Sequence, residues 1–213
     1  MRATRLILAS ASARRTQLLA QIGVPHEVIP ARLIEQREPG ESIEVCVQRL
    51  AEAKAQEVLG RLCAGADAGA DAGAGAGAAA ARLVVLGADT AVAIDGQMLG
   101  KPRDEREALA MLARLSGRLH RVLCAVALAE AGGVRSALSI SEVRLRHIAP
   151  DEAARYWASG EPHDKAGAYA IQGLGAVFVQ ALQGSYSGVM GLPLYETGLL
   201  LEQAGVGVWE SEG

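Results

Sequence analysis

LHRVLCAVALAEAGGVRSALSISEVRLRH, residues 119–147, decides the fold class. Residues 119–129 form an apolar run and 134–147 a second extended stretch, with Gly132-Gly133 between them as a turn. SISEVRLRH alternates apolar with polar side chains, as a strand with one wet face does. Two such runs across a tight turn make an antiparallel hairpin. The rest of the chain alternates strands with helices, a pattern that builds parallel sheet. The expected class is therefore α/β with a mixed sheet.

Upstream of the hairpin, LVVLGADTAVAID (83–95) reads as a buried strand, a turn and a second short strand, and Asp95-Gly96 as a two-residue hairpin turn. Asp104 and Glu107 open EREALAMLARLS in the manner of a capping box, and Gly117 stops that helix. RLILA (5–9) reads as a buried strand, followed by Ser10 and Ser12 and then a helix, RRTQLLAQIG, ended by Gly23. A second helix is expected over 42–59, capped by Ser42 and stopped by Gly60. Downstream, Pro150-Asp151 start a helix ending near Gly160, AVFVQAL (176–182) reads as a strand, and PLYETGLLLEQAG (193–205) as a last helix.

Residues 64–81 hold eleven alanines, five glycines and two aspartates, and nothing able to form a side-chain core. This tract reads as an inserted linker or a helical extension, without chemistry. The expected organisation is one domain over 1–207 carrying that insertion, with 208–213 as a short tail.

The 213 residues carry a net charge of −3, which disfavours binding nucleic acid by phosphate neutralisation. Aromatics at 3% leave little for a base-stacking platform. No apolar stretch is long enough to span a membrane, and the N-terminus lacks the long apolar region and cleavage site of an export signal. Cys46, Cys63 and Cys124 are odd in number and without CxxC spacing, which suits a reducing cytoplasm. The four histidines share no metal-ligand spacing.

Five segments could carry chemistry. Ser10-Ala-Ser-Ala-Arg14-Arg15 places hydroxyls and guanidiniums at a helix start, where backbone N–H groups attract anions; a serine cap with solvated arginines is the plain alternative. Gly87-Ala-Asp89-Thr90 sets an acid where a buried strand is expected to end, able to hold a metal or activate water, or merely to cap a turn. Gly96-x3-Gly100-Lys101-Pro102 is one residue short of a P-loop and lacks its hydroxyl, though Lys101 could still meet a phosphate. DKAGAYAIQG (164–173) is rich in small residues and offers Gln172 to a base edge. GSYSGVMGLP (184–193) is a glycine-rich loop with Tyr186 where a nucleophile elbow needs serine.

Taken together, LASASARR, GADT, GKPRD, SGRLHRV, DKAGAYAIQG and GSYSGVMGLPL resemble one family, Maf, the nucleoside triphosphate pyrophosphatases also described as septum-formation inhibitors. The resemblance runs from about residue 5 to 205, omitting the Ala/Gly tract, and DKAGAY followed by IQG is similar to the branch acting on dTTP and UTP. It implies an elongated mixed sheet flanked by helices with a central cleft, like the inosine-triphosphate-pyrophosphatase fold. It also implies a divalent metal, Mg²⁺ or Mn²⁺, a homodimer, and a link to nucleotide-pool cleansing and cell-division arrest. Residue by residue, it implies Asp89 as the catalytic acid/base, and Arg14, Thr90 and Gln172 as selectivity positions. Ser10, Arg15, Lys54 and Lys101 match phosphate-binding positions, and Glu35 with Asp89 the metal region. The chain departs from the family pattern at Ala13, often proline, at Ile34, often acidic, and at Gly188, often polar.

The reaction implied is NTP plus water giving NMP and pyrophosphate. The alternative is a nucleotide-binding regulator of septum formation with little catalysis, and a binding module serving a partner is a third reading. Asp89, Lys54 and Lys101 favour the enzyme, because a pure binder needs no water-activating acid.

Overall fold

The computed structural model describes residues 4–69 and 82–209. Among these residues seven strands form one mixed sheet: β1 (Thr4–Leu8), β2 (Glu27–Val28), β3 (Arg82–Ile94), β4 (Gln97–Leu99), β5 (Leu119–Glu130), β6 (Gly133–Leu145) and β7 (Val179–Gln183). Their order is β2-β1-β3-β5-β6-β7, with β4 beside β3. β1 is parallel to β2 and β3, and the β3–β5–β6–β7 half is antiparallel, so the mixed α/β sheet expected from the 119–147 hairpin is present.

Among the described residues six α-helices flank the sheet: α1 (Ala13–Gln21), α2 (Ile43–Gly69), α3 (Glu105–Leu115), α4 (Pro150–Ala158), α5 (Tyr186–Met190) and α6 (Leu194–Gln203). Leu18 and Leu19 of α1 and Leu200 and Leu201 of α6 pack on Leu86, Ala88, Val126 and Leu128 of the sheet. On the opposite face, Val47, Ala51, Ala55 and Val58 of α2 cover Val85, Ala91, Ala125 and Ala129. Both faces are covered by apolar side chains, consistent with the apolar runs of β3 and β5 being buried on both sides.

Four sequence expectations need correction. GADT is not a turn, because β3 runs unbroken from Arg82 to Ile94 and pairs with β5 from Val85 to Ala93. Gly87 serves packing instead: a Cβ there would stand 2.3 Å from the Ala51 carbonyl oxygen and 2.9 Å from the Ala55 nitrogen, so glycine lets α2 approach the strand. Gly60 does not stop α2. Leu59 and Leu62 on either side of it pack into the core, and alanines follow, so burial and helix propensity outweigh a glycine cost of about 1 kcal/mol.

The expected strand 176–182 is a 3-10 turn over Leu174–Phe178 followed by β7, and the Leu174 and Gly175 N–H groups bond Glu161 rather than a neighbouring strand. The capping box at α3 is half formed. Asp104 Oδ1 accepts from the Glu107 N–H at 2.8 Å, but the Glu107 carboxylate accepts from Arg103 N. Asp95 and Gly96 both have positive φ (53° and 71°) and form the β3–β4 turn as expected. Residues 64–69 of the alanine tract continue α2; residues 70–81, and 210–213 of the expected tail, lie outside the described residues. Among the described residues no helix is long and apolar enough to cross a membrane. All three cysteines are free thiols, Cys46 and Cys124 buried and Cys63 exposed.

Candidate active site

The site begins with an interruption in pairing along one edge of β3. That edge is bonded to β1 up to Leu86 and to β4 from Val92 onward, which leaves residues 87–91 without a strand neighbour on that side among the described residues. Asp89 and Thr90 stand in the gap. Asp89 therefore sits not at the end of its own strand but beyond the end of β1, and a cleft of about 550 Å³ opens there.

All nine residues singled out in the sequence line this one cleft: Ser10, Arg14, Arg15, Glu35, Lys54, Asp89, Thr90, Lys101 and Gln172. They come from the β1–α1 turn, the first turn of α1, the segment before α2, α2 itself, β3, the exit of β4 and the loop after α4. Strand alternation divides β3 between its two faces: Asp89 points with Gly87 and Ala91 toward α2, and Thr90 points toward α1.

Asp89 and Lys54 are both buried, at 8% and 5% exposure, and Lys54 Nζ lies 2.7 Å from Asp89 Oδ1. The same ammonium is 2.9 Å from Glu35 Oε2, on a side chain more than half exposed. Burial raises the pKa of Asp89 above the ordinary aspartate value, while the Lys54 charge and hydrogen bond, and then Arg15, pull against it. Two carboxylates therefore converge on a single cation.

Arg15 is committed mainly to the protein. Its Nε donates to the Gly191 carbonyl at 2.8 Å, one terminal nitrogen to Ser10 Oγ at 2.9 Å and the other to Thr90 Oγ1 at 3.3 Å. It ties the end of β1, the middle of β3 and the glycine-rich loop together, and a guanidinium so engaged still has two N–H groups to offer. Arg14, half-buried, makes no hydrogen bond among the described residues. Burial lowers its pKa, with Asp164 opposing. The backbone N–H groups of Ala13 and Arg14 at the start of α1 likewise have no protein acceptor among the described residues, so an anion can occupy that helix end. Ala13 occupies this first helical position without disturbing it.

Lys101 is exposed at the lip, held beside the 164–173 segment by a bond from the Gly167 N–H to the Gly100 carbonyl at 3.0 Å. Gln172 is half-buried, and its amide makes no hydrogen bond among the described residues. Ile34, at 80% exposure, has no part in the lining. Gly188 is buried in α5, where its N–H donates to Ser185 Oγ at 2.9 Å and a Cβ would press on the Ser185 side chain at 3.1 Å. The serines of GSYSGVMGLP hold backbone: Ser185 caps α5 and Ser187 Oγ accepts from Leu194 N.

Sequence reasoning assigned no role to Lys165, Asp164 or Tyr169, which also line the cleft. Lys165 pairs with Asp164. Tyr169 is buried with its hydroxyl 2.8 Å from His120 Nε2. All three stand in or beside DKAGAY, but a lysine or tyrosine in a glycine-rich stretch carries no signal of which way it faces.

The donor set suits a magnesium-like ion. Among the described residues no three His, Cys, Asp or Glu side chains gather into a cage, whereas Mg²⁺ is commonly held by one or two carboxylates together with substrate phosphates. Glu35 and Asp89, already drawn to one cation, are the residues that would hold it.

The Maf-like protein family matches residues 5–204. A protein of Methylobacillus flagellatus is 46% identical over 96% of this chain and 95% of its own length. One of Saccharophagus degradans is 49% identical over 97% of the chain and 91% of its own length, and one of Methylococcus capsulatus 48% over 95% and 92%. Each of the three is named dTTP/UTP pyrophosphatase. With the motifs gathered around one cleft and the match running almost end to end, the chain belongs to the Maf family.

Proposed function

We propose that this protein is a nucleoside triphosphate pyrophosphatase that hydrolyses dTTP and UTP to the monophosphate and pyrophosphate. The observation that carries the reading is the buried Lys54–Asp89 pair, with Glu35 on the same ammonium, inside a cleft that also holds Arg14, Arg15 and Lys101. Relatives at 46–49% identity that bear the name dTTP/UTP pyrophosphatase support it further.

The chemistry follows from charge. A triphosphate carries about four negative charges, which repel a nucleophile until they are neutralised. Arg14, Lys101, the remaining N–H groups of Arg15 and the open amides at the start of α1 bind and orient the phosphate chain. A divalent cation, Mg²⁺ or Mn²⁺ held by Glu35 and Asp89, would supply further positive charge to the phosphate oxygens. Water attacks the α-phosphorus, the bond from that phosphorus to the bridging oxygen breaks, and pyrophosphate leaves with the electron pair. Asp89 takes the proton of the attacking water. Lys54 keeps the buried carboxylate ionised and therefore able to accept it, while burial raises its basicity.

Base choice falls to Gln172. Uracil and thymine present an acceptor, a donor and an acceptor along one edge, which a side-chain amide and nearby backbone groups can match. Cytosine reverses two of the three and leaves buried groups unpaired. We propose further that the protein is a homodimer and works in the cytoplasm.

The test is a panel of nucleoside triphosphates assayed for pyrophosphate release by the purified protein. dTTP and UTP should be comparable, with CTP, dCTP and the purine triphosphates poorer by about 10-fold or more, the effect of one lost buried hydrogen bond. Gln172→Ala should narrow that gap more than it slows dTTP. Equal kcat/KM for dTTP and dCTP would overturn the base reading, and no pyrophosphate from any nucleotide would overturn the enzyme.

A further inference from the structure

One carboxylate outside the cleft holds both ends of the loop that carries Gln172. Glu161 Oε1 accepts from the Tyr156 hydroxyl at 2.6 Å and from the Gly175 N–H at 3.0 Å, and Oε2 accepts from the Leu174 N–H at 2.8 Å. The Tyr156 hydroxyl oxygen accepts in turn from the Ala170 N–H at 3.0 Å. Ala170 enters the loop, Leu174 and Gly175 leave it, and Gln172 lies between. Bonds to an ionised acceptor are about twice as strong as neutral ones, so this is a stiff clamp.

The glycines of the loop are explained by the same two side chains. A Cβ at Gly173 would stand 1.9 Å from Glu161 Oε2, and one at Gly175 would stand 2.6 Å from the Tyr156 hydroxyl oxygen. Neither glycine has a positive φ, so neither is required by backbone conformation. Both are required by the close approach of carboxylate and hydroxyl to the chain. Glu161 does not line the cleft, whereas Ala170, Ile171 and Gln172 do.

We propose that Glu161 is a positioning residue for base selection: through Tyr156 and the N–H groups of Leu174 and Gly175 it fixes the loop that presents Gln172 to the pyrimidine. This rests on the pyrophosphatase reading and extends it to a residue that never meets substrate. Binding specificity of this kind needs a reading group held within a fraction of an ångström, which a mobile loop cannot supply.

The chemistry of Glu161→Gln makes a sharp test. Whichever way the amide is turned, its NH₂ faces at least one of the backbone donors that the carboxylate now accepts. The ratio of kcat/KM for dTTP to that for dCTP should fall by about 3- to 10-fold, the worth of one hydrogen bond. The loss should appear in the KM for dTTP, with kcat at saturation little changed. Tyr156→Phe removes the relayed bond to Ala170 while keeping the ring against Phe178, and should reduce the ratio in the same direction should Glu161→Gln fold poorly. In a Gln172→Ala background the Glu161 substitution should leave the ratio unaltered, because the group it positions is gone.

A wild-type ratio preserved in both folded variants would overturn the proposal. So would an equal loss for all nucleotides, which marks a merely structural role, or a further fall of the ratio in the Gln172→Ala background. A wild-type protein that already treats dTTP and dCTP alike would instead sink the base reading itself, and the proposal with it. That result is read from the wild type alone and so is distinguishable from the others.

Discussion

Lys54 Nζ lies 2.7 Å from Asp89 Oδ1, and the two residues are 35 positions apart in the chain, one on helix α2 and one in the middle of β3. Neither charge is accessible enough for water to screen the pair well. An acid in this setting stays ionised because of its partner and is basic because of its burial.

Asp89→Asn removes the proton acceptor and keeps the shape. It should keep the fold, less stably because Lys54 is left with Glu35 alone, and lower kcat by at least about 10²-fold, the low end for a lost acid or base. Steady-state pyrophosphate release with circular dichroism as the folding control decides the matter. A near-wild-type kcat would remove Asp89 from the mechanism.

Lys54→Met leaves the Asp89 carboxylate buried without its cation. Breaking such a pair from one side costs about 3–5 kcal/mol, so thermal unfolding at neutral pH should come markedly earlier. The pKa of Asp89, already raised by burial, should climb further, and the acid limb of the kcat/KM profile should move to higher pH. The sign for stability is the reverse of the usual carboxylate. A folded-state pKa above the unfolded one weakens the fold at high pH, so acidifying the variant should recover part of its lost Tm. A variant whose Tm deficit does not change with pH would argue against an unpaired Asp89.

Gly87→Ala tests the packing of α2 on the site. Its Cβ would fall 2.3 Å from the Ala51 carbonyl oxygen, against backbone that cannot swing aside. The helix must move away, at a cost of about 1–3 kcal/mol as for overpacked cores, and Lys54 moves with it. Chemical denaturation should show the lost stability and the assay a lower kcat. An unchanged midpoint would mean that α2 has slack the packing does not suggest.

His120 gives the fold an acid-side weakness. It is 3% exposed, its Nε2 meets the Tyr169 hydroxyl at 2.8 Å, and Nδ1 has no hydrogen-bond partner among the described residues. Burial pushes its pKa down to about 4. The unfolded chain then takes up a proton near pH 6.5 that the folded one refuses, so stability is present above about pH 6.5 and drains away toward pH 4, by roughly 3 kcal/mol in full. Melting curves across that interval should show the decline, and His120→Gln should flatten it. Equal slopes for the two proteins would assign the acid sensitivity to other groups.

The sequence alone determined the parts list. Turn residues and period-two patterning placed the 119–147 hairpin, the Asp95-Gly96 turn and most helix starts, because these signals are local: a positive φ, a cap, an alternation. Motifs likewise held seven of the nine residues that meet in the cleft, Gln172 among them, and the family resemblance added Glu35 and Lys54. What only the tertiary structure decided is which side chains satisfy one another. GADT reads as a turn because glycine and aspartate favour turns, but β5 pairs with the whole stretch and α2 needs the space that Gly87 leaves, so it is strand. Gly60 reads as a stop, and Leu62 on the core overrides it. The place of Asp89, in the gap between β1 and β4, depends on where two other strands end. The clamp of Glu161 on the Gln172 loop depends on a 3-10 turn over Glu161–Asp164 and a tyrosine on α4. Charge pairing and backbone capture act over distances in space that bear no relation to distance along the chain, and periodicity has no access to them.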